Sequence, residues 1–247
     1  MQANENHKPS IAKFLLPLWL LGTFAVLAVG YREAIFIAPT EATMGDIQRI
    51  FYYHVTNASL ALVPPYINLI ASLGYLFWRE RNPARALAAD ALAIASAEIT
   101  ILLTSIGLLT GMLWARPVWG IWWTWDERLT TYLLLWMLYV SYVLVRRLSS
   151  SGQAHTLAAV ISIFAAVDVP ITFMSIRWWR TQHPSPVFGG NGSLAPSMYP
   201  AVFWNLAGWA MWTAFLLYFR YALERRRQRA AAAHSLDFLG QGHTNEY

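Results

Sequence analysis

Six apolar runs, each long enough to cross a bilayer as a helix, follow one another along this chain. Only 13% of the residues are charged, against about 25% in soluble domains. Lipid offers no hydrogen-bond partner to exposed backbone groups, so runs of this kind have to be helical. The sequence therefore predicts an all-α membrane protein, a bundle of six transmembrane helices near residues 14–30, 55–78, 89–113, 129–145, 155–176 and 200–221.

Basic residues are divided unequally between the two sides of this bundle. The side with both termini holds 12 of the 18 Lys and Arg residues, which makes it cytoplasmic by the positive-inside rule. Residues 1–222 are predicted to form one six-span domain, and residues 223–247 a basic, disordered cytoplasmic tail. The segment 26–28 resembles a signal-peptide cleavage site, but the apolar run continues beyond it, so we expect a retained anchor.

The charge and cysteine content exclude several kinds of function. The net charge of +5 comes from basic residues that flank the apolar runs, so it does not indicate a nucleic-acid partner. The chain has no cysteine, which excludes disulfides, thiolate metal sites and thioether-linked cofactors on this chain.

A tryptophan-rich stretch joins the third and fourth runs. Asp126 and Arg128 close this stretch. It contains five of the chain's 13 tryptophans: Trp114, Trp119, Trp122, Trp123 and Trp125. On a helix, Trp119 and Trp123 would share a face, as would Trp122 and Asp126. Two interpretations fit this pattern, an interfacial aromatic belt and a flat apolar platform for a planar aromatic ligand.

The predicted topology places only two of the six histidines, His54 and His183, on the outer side with the tryptophan-rich stretch. Haem suits this combination, because its iron accepts two axial histidines and its ring is planar and apolar. Zinc would need three or four ligands. Arginines on the same side are candidate partners for the haem propionates: Arg49, Arg116, Arg128, Arg177 and Arg180.

The same residues carry a family resemblance. Residues 119–130, WGIWWTWDERLT, resemble the "WWD" motif of haem-handling proteins in cytochrome c biogenesis. Residues 49–54, RIFYYH, and 178–183, WWRTQH, are similar to the two histidine segments of the cytochrome c maturation protein C family, also called haem exporter protein C. The resemblance covers residues 10–222 or so, and the length and the six spans agree with it.

This resemblance implies a haem transfer protein, rather than an enzyme, in the bacterial inner membrane. It implies b-type haem, bound non-covalently and transiently at the periplasmic surface and passed to a membrane-anchored haem chaperone. The implied partners are the ATPase and permease subunits of an ABC transporter and a small single-span subunit. We expect His54 and His183 to be the axial iron ligands, and the haem site to include Arg49, Trp114, Trp119, Trp122, Trp123, Trp125, Asp126 and Arg128.

Two acidic residues inside the predicted spans leave alternatives open. A charged side chain at Glu98 or Asp168 would cost free energy in a bilayer, and acidic residues in such positions often carry protons. A proton-coupled transporter subunit is therefore a second hypothesis. A structural subunit whose tryptophan-rich stretch docks a partner is a third. We expect Asp126 to pair with Arg128 or to cap the fourth span, since no nucleophile accompanies it.

Overall fold

The computed structural model describes residues 12–149, 153–186 and 194–242. Across these residues it is helical, with no strand beyond an isolated bridge between Glu41 and Gly45. Six helical segments are long and apolar enough to cross a membrane, which confirms the predicted architecture. The histidines His7 and His243 lie outside the described residues.

Within the described ranges, seven α-helices make up the six spans, because the second span consists of two. Their bounds are Ala12–Arg32 (α1), Arg49–Leu60 (α2), Pro64–Trp78 (α3), Pro83–Trp119 (α4), Glu127–Leu148 (α5), Ala154–Trp178 (α6) and Tyr199–Gly242 (α7). Three short segments complete the outline: a π-helix at Glu33–Ile37 and 3₁₀ turns at Asp46–Gln48 and Pro196–Met198.

The break in the second span lies at residues 61–63. Pro64 and Pro65 occupy the first two positions of α3, where their missing N–H groups leave no hydrogen bond unmade. These two prolines therefore mark the start of a new helix within the second span. Pro170, in contrast, lies inside α6, which continues past it.

Helix α4 is the centre of the bundle and packs against α2, α3, α5 and α7. Its inner surface is rich in small buried residues, which allow close helix approach. Among these are Ala91, Ala95, Ala97, Ser96 and Thr100. The Asn68 amide of α3 donates to the Ala93 carbonyl of α4 at 2.7 Å, and this bond fixes the two helices against each other.

Ion pairs join the helices at the end of the bundle opposite the tryptophan-rich stretch. Arg146 of α5 forms a two-bond pair with the buried Asp90 of α4. Glu98 pairs with Arg147 of α5 and with Arg220 of α7. Glu98 therefore lies level with the last turn of α5 and has two basic partners, instead of standing alone within the bilayer.

The sixth span continues as one helix to Gly242, although we expected disorder from residue 223. Its first turns beyond the span are held by ion pairs. Arg220 and Arg227 both approach the largely buried Glu224, and Gln228 donates to Asp90 at 3.3 Å. The two ion pairs are local contacts within the helix, whereas the Gln228–Asp90 bond ties this part of α7 to α4.

Candidate haem site

The tryptophan-rich stretch is a loop between two capped helices. Helix α4 ends at Trp119, and Gly120 adopts the left-handed conformation (φ 78°) with its N–H bonded to the Arg116 carbonyl. Asp126 begins α5 as its N-cap, accepting from the Leu129 N–H at 2.9 Å. The predicted capping role of Asp126 is confirmed.

The predicted helical spacing within this stretch is wrong. Trp119 is the last residue of α4, and Trp123 lies in the following loop, so the two share no helix face. Trp122 and Asp126 are likewise not on one helix. The left-handed Gly120 breaks the helical repeat before it can align these pairs.

The two outer histidines, 129 positions apart in sequence, meet in space. His54 lies in the second turn of α2, and His183 lies in the loop after α6. Their ring centres are 6.3 Å apart, with an angle of 40° between the ring planes. Both rings line the same cleft, so the sequence prediction that these side chains converge is fulfilled by the geometry.

The hydrogen-bond network assigns the tautomer of both rings. His183 Nδ1 lies 2.9 Å from the Pro184 carbonyl, which only accepts, so Nδ1 carries the proton. His54 Nδ1 lies 3.1 Å from Thr110 Oγ1, and that hydroxyl already donates to the Ile106 carbonyl at 2.6 Å. In each ring, Nε2 therefore keeps its lone pair, as a metal-ligating nitrogen requires.

Burial and a nearby cation keep His183 neutral. Burial in the loop lowers the pKa of His183 and the positive charge of Arg128 adds to this effect, so that the pKa is about 4. At neutral pH the imidazole is therefore uncharged, with its one proton on Nδ1, and it can act as a ligand through Nε2.

We call the cleft between these rings the tryptophan cleft; it is open and has a volume of about 920 Å³. Its lining is mostly apolar and includes Phe51, Leu108, Met112, Trp114, Trp119, Trp122, Trp123, Leu129 and Tyr132. Of the five predicted tryptophans, only Trp125 is outside the lining; it is 75% exposed.

The indoles in this cleft do not form a flat stack. Trp114 and Trp119 meet edge to face at 84°, and Trp123 and Trp125 do so at 79°. Edge-to-face pairs are favoured by the charge distribution of aromatic rings. The Trp114–Trp119 pair therefore gives the cleft two surfaces nearly at right angles, rather than the single platform that the sequence suggested; Trp125 of the other pair does not line the cleft.

Two glycines of α4 make room for the side chains that face the cleft. A Cβ at Gly111 would lie 3.0 Å from Cε1 of His54, and one at Gly107 would lie 2.5 Å from the Tyr132 hydroxyl. These residues form a G-x-x-x-G pattern, a signal for close helix approach that our sequence reasoning did not use. Thr110, which orients His54, lies inside the same pattern.

Three residues that line the cleft carry a buried polar group without a hydrogen-bond partner. These groups are the indole N–H groups of Trp114 and Trp123 and the hydroxyl of Tyr132. Leaving a buried donor unsatisfied costs about 1–3 kcal/mol. Donors of this kind suit a ligand that brings acceptors such as carboxylates.

Asp126 and His183 are linked through Thr181. The Thr181 hydroxyl donates to Asp126 Oδ2 at 2.9 Å and accepts from the His183 backbone N–H at 3.0 Å. The WWD-type loop thus holds the loop that carries His183. Sequence reasoning missed Thr181, although it lies only two residues before the histidine.

The predicted arginines have different positions. Arg128 lines the cleft and donates to the Thr172 carbonyl, rather than forming the expected alternative pair with Asp126. Arg49 binds Asp46 at 2.9 Å and the Ala34 carbonyl at 2.8 Å, and it is not among the lining residues. Arg116 donates to the Gly120 carbonyl. Arg177 lines a second cleft, which has a volume of about 1520 Å³. Arg180 lines neither of the two clefts.

The sequence matches the protein family described as "Heme exporter protein C" over residues 1–235. This chain belongs to that family. Among its curated relatives, the heme exporter protein C of Bradyrhizobium diazoefficiens is 35% identical over 92% of this chain and 86% of its own length. Those of Escherichia coli K12 and Rhodobacter capsulatus are 30% and 32% identical, each over 88% of this chain and 88% and 89% of their own lengths.

Membership of the heme exporter protein C family assigns this multi-pass membrane protein a role in haem handling. A different metal site has no support in the part of the chain that the structure describes. No group of three His, Asp or Glu side chains there could hold a metal ion such as zinc.

Proposed function

We propose that this protein binds haem non-covalently between His54 and His183, at the periplasmic face of the bacterial inner membrane. It then delivers the haem to a membrane-anchored chaperone for cytochrome c biogenesis. Haem is cargo here, held in transit and passed on, so the site combines strong iron ligands with an open cleft.

The separation of the two imidazoles is the observation that carries this proposal. A metal–imidazole bond is about 2.0–2.1 Å long, and the ring centre lies about 1 Å beyond the nitrogen. Two rings on opposite sides of one iron would therefore have centres about 6 Å apart. The ring centres of His54 and His183 are 6.3 Å apart, and both rings keep Nε2 as an acceptor.

The surroundings of the rings fit the rest of the haem. An apolar porphyrin suits the indole and aliphatic lining, where burial contributes about 25 cal/mol per Å². The anionic propionates suit Arg128 and the unpaired donors of Trp114, Trp123 and Tyr132. Trp122 is 54% exposed, so a partner can reach the edge of a ligand bound beside it.

The topology and the partners belong to the same proposal. The asymmetry of 12 to 6 basic residues supports a periplasmic haem site and cytoplasmic termini. Reporter fusions after Arg147 and Arg227 should report cytoplasm, and a fusion at Gly120 should report periplasm. The proposed partners are an ABC transporter and a small single-span subunit, besides the chaperone.

The test is the visible spectrum of the purified protein. We expect a low-spin bis-histidine spectrum that is lost in His54→Ala and His183→Ala but kept in His155→Ala and His234→Ala. Added imidazole should partly restore the spectrum of either loss variant, because it fills the vacated position on the iron. A wild-type spectrum in the H54A/H183A double variant would refute the ligand assignment.

The transporter alternative gains no support from the two acidic residues on which it rested. Glu98 pairs with Arg147 and Arg220 between three helices, a structural role. Asp168 accepts from the Thr172 hydroxyl at 3.3 Å, one turn further along α6. Neither residue lines the tryptophan cleft or the second cleft beside it.

A further inference from the structure

The second cleft lies beside the tryptophan cleft and shares with it the residues that define the haem site. We call it the lateral cleft; its volume is about 1520 Å³. Three of the residues common to both clefts are His54, His183 and Arg128. The two spaces therefore meet at the imidazole pair.

The lateral cleft occupies the space between α2 and α6. Helix α2 packs on α4 and α7, whereas α6 packs on α3 and α5. The chain turns at residues 61–63 between α2 and α3, just where the prolines start the new helix. This break in the second span separates its outer half from α6 and leaves the gap open.

The mouth of this cleft faces sideways, toward lipid. Two of its lining residues are large, apolar and exposed: Ile70 is 70% exposed and Phe173 is 48% exposed. On α6 the lining runs from Val169 to Arg177, a rise of about 12 Å at 1.5 Å per residue. That depth is comparable with one leaflet, since the hydrocarbon core is about 30 Å thick.

The polar residues of the cleft select an anionic ligand. Arg177 and Arg128 both line it, and no Asp or Glu belongs to its described lining. Arg177 is at the outer end of α6, with its guanidinium 4.8 Å from the Phe173 ring centre. A lipid-soluble molecule with carboxylates at one edge can thus keep its body among aliphatic side chains while its charge follows the arginines.

We infer that haem enters the imidazole pair from the outer leaflet through the lateral cleft, and that the tryptophan cleft is the side from which it leaves. This inference rests on the proposed function. It assigns different walls of one site to loading and to release. Ser59, Ile67 and Phe173 line only the lateral cleft and should control loading without touching the tryptophan wall.

The test uses substitutions that narrow the lateral cleft and one that widens it. Ser59→Trp on α2 and Ile67→Trp on α3 each narrow the cleft from a different helix, and Phe173→Ala widens its mouth. Leu109→Trp is the matched control, because Leu109 is 58% exposed on α4 and lines neither cleft. Leu109 lies ten residues before Trp119, the last residue of α4, and Ser59 lies ten residues after Arg49, the first residue of α2.

The full chain in lipid nanodiscs receives haem either from haem-loaded vesicles or from a water-soluble carrier, and loading is followed by absorbance. The rate of haem uptake from vesicles should fall about tenfold in both filling variants, which corresponds to an increase of about 1.4 kcal/mol in the activation free energy. The same rate should rise in F173A. Uptake from the soluble carrier, the final spectrum and the L109W control should stay within about twofold of wild type.

Two results would refute the proposed entry route, and a third would refute the proposed function as well. Unchanged uptake from vesicles in both filling variants would overturn it, as would equal slowing from both donors. A wild-type protein that takes haem from neither donor would refute the proposed function itself. Because the two filling substitutions are on different helices, misfolding of one variant leaves the other to decide.

Discussion

The link from Asp126 through Thr181 to His183 gives a sharp prediction. Thr181→Val removes the hydroxyl while keeping the shape of the side chain, so it breaks both hydrogen bonds of Thr181 without touching the α5 cap. The bond to the Asp126 carboxylate is the stronger one, since hydrogen bonds to charged groups contribute about 1.5–3 kcal/mol. Without it, the backbone of His183 loses its attachment to the WWD-type loop.

Two independent estimates of the loss of haem affinity in T181V agree. A cost of 1.5–3 kcal/mol corresponds to about 10–150-fold in a dissociation constant, at about 1.4 kcal/mol per tenfold. Independently, residues that orient metal-binding histidines typically affect affinity by about 10–100-fold. T181V should therefore bind haem ~10–100-fold more weakly, with a smaller low-spin fraction, as measured by haem titration and absorbance.

Matched variants separate this link from helix capping. Thr181→Ser keeps the hydroxyl and should bind like the wild type. Asp126→Asn keeps an equally good N-cap and a polar partner for Thr181, so its effect should be smaller than that of T181V. Asp126→Ala loses both contacts, and adding T181V to it should cost little more, because the two residues share one interaction. Wild-type affinity in T181V would refute the proposed positioning of His183.

Three further predictions concern the same site. Gly111→Ala should weaken haem binding by about tenfold, because the new methyl group would lie 3.0 Å from the His54 ring; Gly45→Ala, in open space, tests only backbone strain (φ 58°) and should keep the haem spectrum. The protonation midpoint of His183, followed by NMR of histidine-labelled protein with H183Q for assignment, should be near the lowered pKa of about 4. Since an unfolded histidine titrates near 6.5, protonation of His183 should destabilise the fold as pH falls from about 6.5 to 4, and a midpoint near 6.5 would contradict this. Trp122→Ala should reduce transfer to the chaperone more than haem retention, whereas the highly exposed Trp125→Ala should leave retention unchanged, as haem per protein and haem delivered will show.

Local sequence patterns predicted the features of this protein that are imposed by its lipid surroundings or by neighbouring residues in the chain. Each span needs only a run of apolar residues, because lipid forces such a run to be helical wherever it packs. The six spans and the cap at Asp126 both follow from rules that operate over short stretches of sequence. The predicted topology placed His54 and His183 on the same side, and their ring centres are indeed 6.3 Å apart.

Only the tertiary structure decided which groups touch. Thr110 orients His54 across 56 positions of sequence, and Asp126 reaches Thr181 across 55. The same packing directs Arg49 to backbone carbonyls outside the site and sets the indoles edge to face. Such contacts depend on how whole helices approach one another, and that approach is set by small residues such as Gly107 far from the motif. The sequence by itself determined the six spans and the chemical groups that lie between them; helix packing decided which of these groups are partners, because a side chain's partner is chosen by distance in space and not along the chain.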